Sequence, residues 1–174
     1  MKIGSAVAVV RMVSGVLVAT MVGVWAGAPL AAWLDALLPV RLPFDLRWLG
    51  VLIAIGAMVL IASAQVSFVR FGGGTGVPND PPRRLVASGP YRWVRNPLYI
   101  SGNALLWATA LMLNSAGLLG IAFVVAMGFH LFVVFYEEPQ LEKRYGDAYR
   151  EYTKSVPRWV PRFSKASEFL HRSK

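Results

Sequence analysis

Three places in the chain combine residue types that can do chemistry. The first is the stretch GPYRWVRNPLYISG, Gly89 to Gly102. Asn96 followed by Pro97 reads as a helix N-cap and a first helical residue. That start leaves free N–H groups and the positive end of a helix dipole beside Arg95, a ready site for a carboxylate or phosphate. The competing reading is a capped helix whose arginine snorkels to lipid headgroups. The second place is Glu137-Glu138, at the end of an apolar run. Two neighbouring carboxylates at a helix C-terminus repel each other and oppose the dipole, and an anionic inner leaflet disfavours them further. They need a positive partner: Arg92, Arg95, Lys143 or Arg144, or a cationic ligand. The third is His130, seven residues before Glu137 and so on nearly the same helical face. Inside an apolar helix it must face other helices or find a partner. A packed histidine with one hydrogen bond and a histidine lining a substrate cavity both fit.

The elements that position these residues are apolar helices. Of 174 residues, 56% are hydrophobic and 16% charged, with a mean hydropathy of +0.51; soluble domains carry roughly 25% charged residues. Four uncharged runs stand out: Met12–Leu34, Trp48–Val69, Pro97–Leu113 and Ser115–Tyr136, of 23, 22, 17 and 22 residues. About 20 apolar residues cross a bilayer. The third run is marginal, and only Asn114 separates it from the fourth, so the pair reads as a tight helical hairpin. The first run is too long for a cleaved leader's core and is followed by three more, so it reads as a retained helix. The expected fold is therefore all-α and integral to the membrane, with about four transmembrane helices. The last two form the hairpin, and an amphipathic interfacial helix follows.

Charge orients this arrangement. With four crossings, 16 of the 18 Lys and Arg residues fall on one side and only Arg41 and Arg47 on the other. The positive-inside rule then puts both termini, the middle loop and the functional residues in the cytoplasm. It also accounts for the net charge of +9 without nucleic acid, for which no binding signature is present. The absence of cysteine removes disulfides, thiolate nucleophiles and Cys-ligated metal, and two histidines make a His-based metal cluster improbable. The chain divides into 1–70, two N-terminal transmembrane helices; 71–96, a cytoplasmic Gly/Pro-rich loop; 97–163, the hairpin with a C-terminal segment; and 164–174, a basic tail. FGGGTG in the loop lacks the Lys-Ser/Thr and preceding strand of a phosphate-binding loop and reads as a linker. After residue 136, Leu141, Tyr145, Tyr149 and Tyr152 recur at helical spacing among charged residues, as in an interfacial helix. Gly146 weakens that helix locally, and VPRWVPRF beyond it reads as an irregular cover.

In a helical hairpin the start of one helix meets the end of the other, so the Arg95 site and the Glu pair converge. A ligand with a carboxylate, an ammonium and a further positive centre matches them, and S-adenosylmethionine is such a ligand. GTGVPNDPPRRLVASGPYRWVRNPLY followed by EEPQLEKRYGDAYREYTKSVPRWVP resembles the isoprenylcysteine carboxyl methyltransferase family and the related phospholipid methyltransferases. The resemblance covers about Gly74 to Pro161. It implies a membrane enzyme that uses S-adenosylmethionine on a lipophilic or lipid-anchored acceptor. By motif it implies cofactor contacts at Gly89, Pro90, Tyr91, Arg95, Asn96, Pro97, Tyr99, Gly102, Glu137, Glu138 and Tyr149, with Tyr145, Gly146 and Tyr152 in the same second segment. Asn96 stands where eukaryotic prenylcysteine enzymes carry histidine, and an asparagine cannot titrate near neutrality. That departure counts against a prenyl-protein substrate more than against methyl transfer. Glu138, or Glu137, is the candidate general base for an amine acceptor, and Arg158, beside Trp159, the candidate to orient an acidic substrate. The competing classes are an NADPH-dependent sterol or enone reductase and a non-catalytic membrane scaffold.

Overall fold

The computed structural model describes residues 22–23, 25–37, 45–73 and 84–162. The basic tail, residues 74–83 of the Gly/Pro-rich loop and the start of the first apolar run lie outside the described residues. Among the described residues there are helices and turns and no strand. A first helix, α1, is described over 25–37; α2 is Arg47–Ser67, α3 Pro97–Leu113, α4 Ala116–Phe132, α5 Glu138–Tyr145 and α6 Asp147–Ser155.

Local sequence explains the boundaries. Pro97 is the first residue of α3, as the Asn-Pro pair requires, but the Asn96 side chain does not cap the helix. It reaches instead to the Arg158 carbonyl, 3.2 Å away. Asn114 ends α3 in the left-handed region (φ 53°), which asparagine tolerates better than most residues. Ser115 then starts α4, its hydroxyl accepting from the Leu118 N–H. Two residues, Asn114 and Ser115, are enough for the hairpin turn. Asp35 of α1 braces the same corner, accepting from the Ser115 hydroxyl and from the Gly117 N–H, each at 2.6 Å.

The helices pack through small residues. A Cβ on Gly50 would strike the Ala108 carbonyl and Met112, and one on Gly117 would strike Ala31, so α2 meets α3 and α1 meets α4 almost backbone to backbone. Ala57, Ile61 and Leu105 fill the α2–α3 seam. These contacts place Asp35, Gly50, Met112 and Gly117 at one end of the bundle. The other end carries residues 84–97 and 134–162.

Among the described residues, two helical segments are long and apolar enough to cross a bilayer, Arg47–Gly72 and Ala116–Tyr145; Pro97–Leu113 is shorter, about 25 Å at 1.5 Å per residue. Only 28% and 17% of their most apolar windows are buried inside the protein. Trp25, Trp48, Phe123, Val124 and Phe135 lie on the surface, an apolar exposure that suits lipid rather than water.

Two features differ from the sequence reading. The fourth apolar helix does not stop at Tyr136: a wide π turn over Val133–Glu137 carries it into α5. Pro139 explains the π turn. It has no N–H to bond back and its ring crowds the carbonyl four residues earlier, so the helix widens by one residue instead of breaking. The amphipathic stretch is also two helices, divided at Gly146 (φ 56°). The apolar face of α6 packs on the chain itself, with Tyr149, Tyr152 and Val156 against Leu85 and Ala87.

Candidate active site

Glu137 and Glu138 sit on the continuous rod, at the junction of the π turn and α5. Adjacent helical residues diverge by about 100°, and the two carboxylates accordingly have different surroundings. Glu138 is held by two arginines. Arg95 Nη1 lies 2.9 Å from Oε1, and Arg158 donates from Nε to Oε1 at 2.7 Å and from Nη2 to Oε2 at 2.8 Å. The hydrogen bond to Glu138 raises the Arg158 pKa above its ordinary value. The positive partner that the sequence demanded is thus Arg95 together with Arg158. Arg92 lies over the Trp93 ring instead.

Glu137 turns the other way and accepts a hydrogen bond from the Tyr99 hydroxyl. Its Oε2 is buried with no hydrogen-bond partner among the described residues, and the same holds for Arg95 Nε. Both residues line a cavity of about 530 Å³ between α2, α3 and the rod, together with Phe68, Tyr91, Asn96, Pro97, Tyr99 and Gly102. That size falls within the usual range for small-molecule sites. Nothing lies within 4 Å of where a Cβ on Gly102 would stand, so this glycine leaves the cavity wall open. An unsatisfied cationic donor and an unsatisfied carboxylate oxygen on residues lining one cavity complement a zwitterion.

The surrounding shell is tied together by hydrogen bonds. The Tyr152 hydroxyl donates to the Tyr91 carbonyl at 2.6 Å, and burial pushes the pKa values of Tyr91, Tyr149 and Tyr152 up. Tyr149 hydrogen-bonds Arg95. The segment after α6 runs back along the 93–95 strip, the Arg95 N–H bonding the Pro157 carbonyl at 2.9 Å and the Arg162 N–H the Trp93 carbonyl at 3.1 Å. This strap delivers Arg158 to Glu138.

Of the residues singled out from sequence, Tyr91, Arg95, Asn96, Pro97, Tyr99, Gly102 and Glu137 line the 530 Å³ cavity. Arg95, Glu138, Tyr149 and Arg158 line an adjoining polar recess. Gly89 and Pro90 line neither. Gly89 has φ 61°, and a Cβ there would collide with the Ser67 hydroxyl of α2, so its place in the motif is a close packing contact. His130 accepts a hydrogen bond at Nδ1 from the Trp159 indole, 3.0 Å away. Both face a third cavity of about 510 Å³, mostly apolar, which shares Tyr99 and Phe129 with the first. Sequence reasoning missed Phe68 and Asn103. Asn103 had a signal, being an amide in the middle of an apolar run; Phe68 looked like any other apolar residue of α2.

A family model described as phospholipid methyltransferase matches residues 46–148. The phosphatidylethanolamine N-methyltransferase of Yarrowia lipolytica (strain CLIB 122 / E 150) is 37% identical over 71 residues, which are 41% of this chain and 8% of that protein. The methanethiol S-methyltransferase of Mycobacterium tuberculosis (strain ATCC 25618 / H37Rv) is 38% identical over 71 residues, 41% of this chain and 28% of that protein. The matches therefore span a minor part of both relatives' lengths. The family match is broader: it runs from the start of α2 into α6 and takes in Arg95, Tyr99, Glu137 and Glu138. On that match the chain belongs to the phospholipid methyltransferase family.

Proposed function

We propose that the protein is an S-adenosylmethionine-dependent methyltransferase that works at the membrane on a lipophilic or lipid-anchored acceptor. The observation that carries this reading is the pairing of Arg95 Nε and Glu137 Oε2, both buried and unsatisfied, in one 530 Å³ cavity. An amino-acid end has the carboxylate and ammonium that these two groups lack. Arg95 and the start of α3 would hold the carboxylate, and Glu137 the ammonium or a sugar hydroxyl. The opening at Gly102 and the rings of Phe68, Tyr91 and Tyr99 would receive the remainder. When bound, the cofactor supplies an electrophilic methyl on a sulfonium sulfur. The protein's part is alignment and exclusion of water, which the strap over residues 93–95 and the aromatic walls favour.

Glu138 serves in this reading as the clamp that fixes Arg95, because both of its oxygens already accept from guanidinium groups. Glu137 is then the better proton acceptor for an amine. Arg158 holds the clamp from the other side. The relatives named above act on an amine-bearing lipid and a small thiol, so they favour methyl transfer without fixing the acceptor; a carboxylate acceptor, as in the isoprenylcysteine enzymes, is the other option. The excess of basic residues at the site end of the bundle favours a cytoplasmic active site, four membrane crossings and α5–α6 lying along the interface.

The test is calorimetric titration of detergent-purified protein with S-adenosylmethionine, S-adenosylhomocysteine and, as control, NADPH. Saturable binding of the first two is expected, weakened at least tenfold by Arg95→Ala and by Gly102→Leu, which fills the cavity. Absence of binding by folded wild-type protein would overturn the proposal, and binding of NADPH alone would replace it with a reductase.

A further inference from the structure

The strap that follows α6 is sewn to the start of α3 along one edge and pinned to the rod by two consecutive side chains. Toward α3, the Pro157 carbonyl accepts from the Arg95 N–H at 2.9 Å and the Arg158 carbonyl from the Asn96 amide at 3.2 Å, and the Arg162 N–H bonds the Trp93 carbonyl. Toward the rod, Arg158 pairs with Glu138 and the Trp159 indole donates to His130 Nδ1 at 3.0 Å. These two anchor points are eight residues apart, about 12 Å along the helix. They differ in kind. The Arg158 tie is an ion pair reinforced by two hydrogen bonds. The Trp159 tie is one hydrogen bond of fixed direction: an indole nitrogen only donates, so His130 Nδ1 must hold a lone pair. Only the neutral ring with its proton on Nε2 does so. An imidazolium carries N–H on both nitrogens and sets donor against donor.

Trp159 is also a wall of the apolar cavity of about 510 Å³, and His130 stands beside it with the two rings 6.1 Å apart. Among the described residues, no carboxylate lines this cavity. The groups that meet His130 there are Tyr99 and Asn103 from α3 and Trp159 from the strap, flanked by Arg158, which is paired with Glu138. Glu137, seven residues along the rod, accepts from Tyr99. An imidazolium at this position therefore has no counter-charge in the cavity wall and needs water instead. We infer that Trp159 is a gate on the apolar cavity, latched by neutral His130 and released when that ring is protonated. The latch holds while the ring is neutral and is lost as pH falls through its titration. Release exposes the imidazolium to water through the same opening, so protonation and opening support each other. The Arg158 ion pair and the bonds to residues 93–96 keep the strap in place, so the moving part is the indole and the Arg95–Glu138 clamp is undisturbed. The inference concerns entry to the apolar cavity and does not depend on the methyltransferase reading.

The experiment is nitrogen–proton NMR of the full chain in detergent micelles, from about pH 8 to about pH 5, the range in which imidazoles change charge. Two signals are followed: the Trp159 indole N–H, identified by its loss in Trp159→Phe, and the Asn103 side-chain amide, identified by Asn103→Leu. Asn103 is 7% exposed and lines the cavity, so solvent exchange of its amide reports water entry. The Asn96 amide, bonded to the strap itself, is the reference at each pH and cancels the pH dependence of exchange. As pH falls, the Trp159 signal should leave the position of a bonded indole in one titration. Exchange at Asn103 relative to Asn96 should rise about fivefold or more, the ratio given by loss of one neutral hydrogen bond. In His130→Gln the amide oxygen accepts the indole at every pH and neither signal should titrate; in His130→Phe the gate should stand open throughout. His171→Gln should titrate as the wild type does. A wild-type Trp159 signal that stays in place over the whole range would overturn the inference with no variant needed. So would a titrating signal with a constant Asn103 to Asn96 ratio, since the latch would then gate nothing or the strap would lift as a whole.

Discussion

Glutamine at position 138 tests whether the two arginines and Glu138 act as one unit. In the structure the carboxylate takes two hydrogen bonds from Arg158 and an ion-pair contact from Arg95, at 2.7 to 2.9 Å. The amide that replaces it has one acceptor oxygen and turns an N–H toward a cation. Removing one partner of a buried pair costs about 3–5 kcal/mol. The Arg95 and Glu138 side chains are 11% and 16% exposed, but Arg158 is 31% exposed, so its share is closer to the rim value. Glu138→Gln should therefore destabilise by about 2–4 kcal/mol. Arg158→Ala should cost about 1–2 kcal/mol, since Arg95 still neutralises Glu138. Arg95→Ala combined with Glu138→Gln should cost less than the sum of the two alone, with a coupling of about 1–3 kcal/mol. Reversible denaturation in mixed micelles measures each corner of the cycle. Binding of S-adenosylmethionine should fall in step with it, because Arg95 loses its brace. Additivity within about 0.5 kcal/mol would refute the clamp, and donor binding that persists in Glu138→Gln would refute its connection to the site.

Gly89→Ala should destabilise by about 1–3 kcal/mol, from a strained left-handed residue and a collision with Ser67. Ser67→Ala in the same chain should recover part of the loss in denaturation midpoint, and no recovery would show that the collision is not the cause. Burial keeps Tyr91, Tyr149 and Tyr152 protonated. With folded pKa values above the unfolded one, their stabilisation is complete below about pH 10 and is lost as pH rises beyond it. Thermal scans across that range should show falling midpoints, with a shallower slope in Tyr152→Phe and, at neutral pH, a loss of about 1–3 kcal/mol from the bare Tyr91 carbonyl. Asp35→Ala should cost about 1–2 kcal/mol by uncapping α4. Amide exchange at Gly117 reports it, and unchanged protection there would rule out the brace.

What the sequence disclosed follows from local rules. The apolar runs, the start of α3 at Pro97 and the hairpin turn at Asn114 each depend on residues within a few positions of one another. The need of Glu137-Glu138 for a positive partner was equally legible, because like charges in sequence are like charges in space. Which cation answers it was not. Arg158 is twenty residues beyond Glu138, and it returns only because Gly146 breaks α5 from α6 and the following strap bonds to Arg95 and Trp93. Lys143 and Arg144, closer in sequence, have no route to the carboxylate on their own helix. The continuation of the rod past Tyr136 was hidden for a related reason. A proline three residues on reads as a boundary, and a π turn is the less common way for a helix to absorb one.

That π turn is also why one acidic dipeptide can do two jobs. Had the helix ended at Tyr136, both carboxylates would have faced the same strip of basic chain and competed for Arg95. Because the rod continues, Glu137 and Glu138 point about 100° apart. One goes to the arginine clamp and the other to Tyr99 and the cavity. Arg95 joins the two sides, since Nη1 is committed to Glu138 and Nε has no partner among the described residues. A guanidinium spent wholly on its ion pair could not bind a ligand, and one with no ion pair would not stay in place. The sharing of Arg95 between a satisfied and an unsatisfied edge therefore links the fold's stability to donor binding, and a variant that improves one edge at the other's expense should separate them.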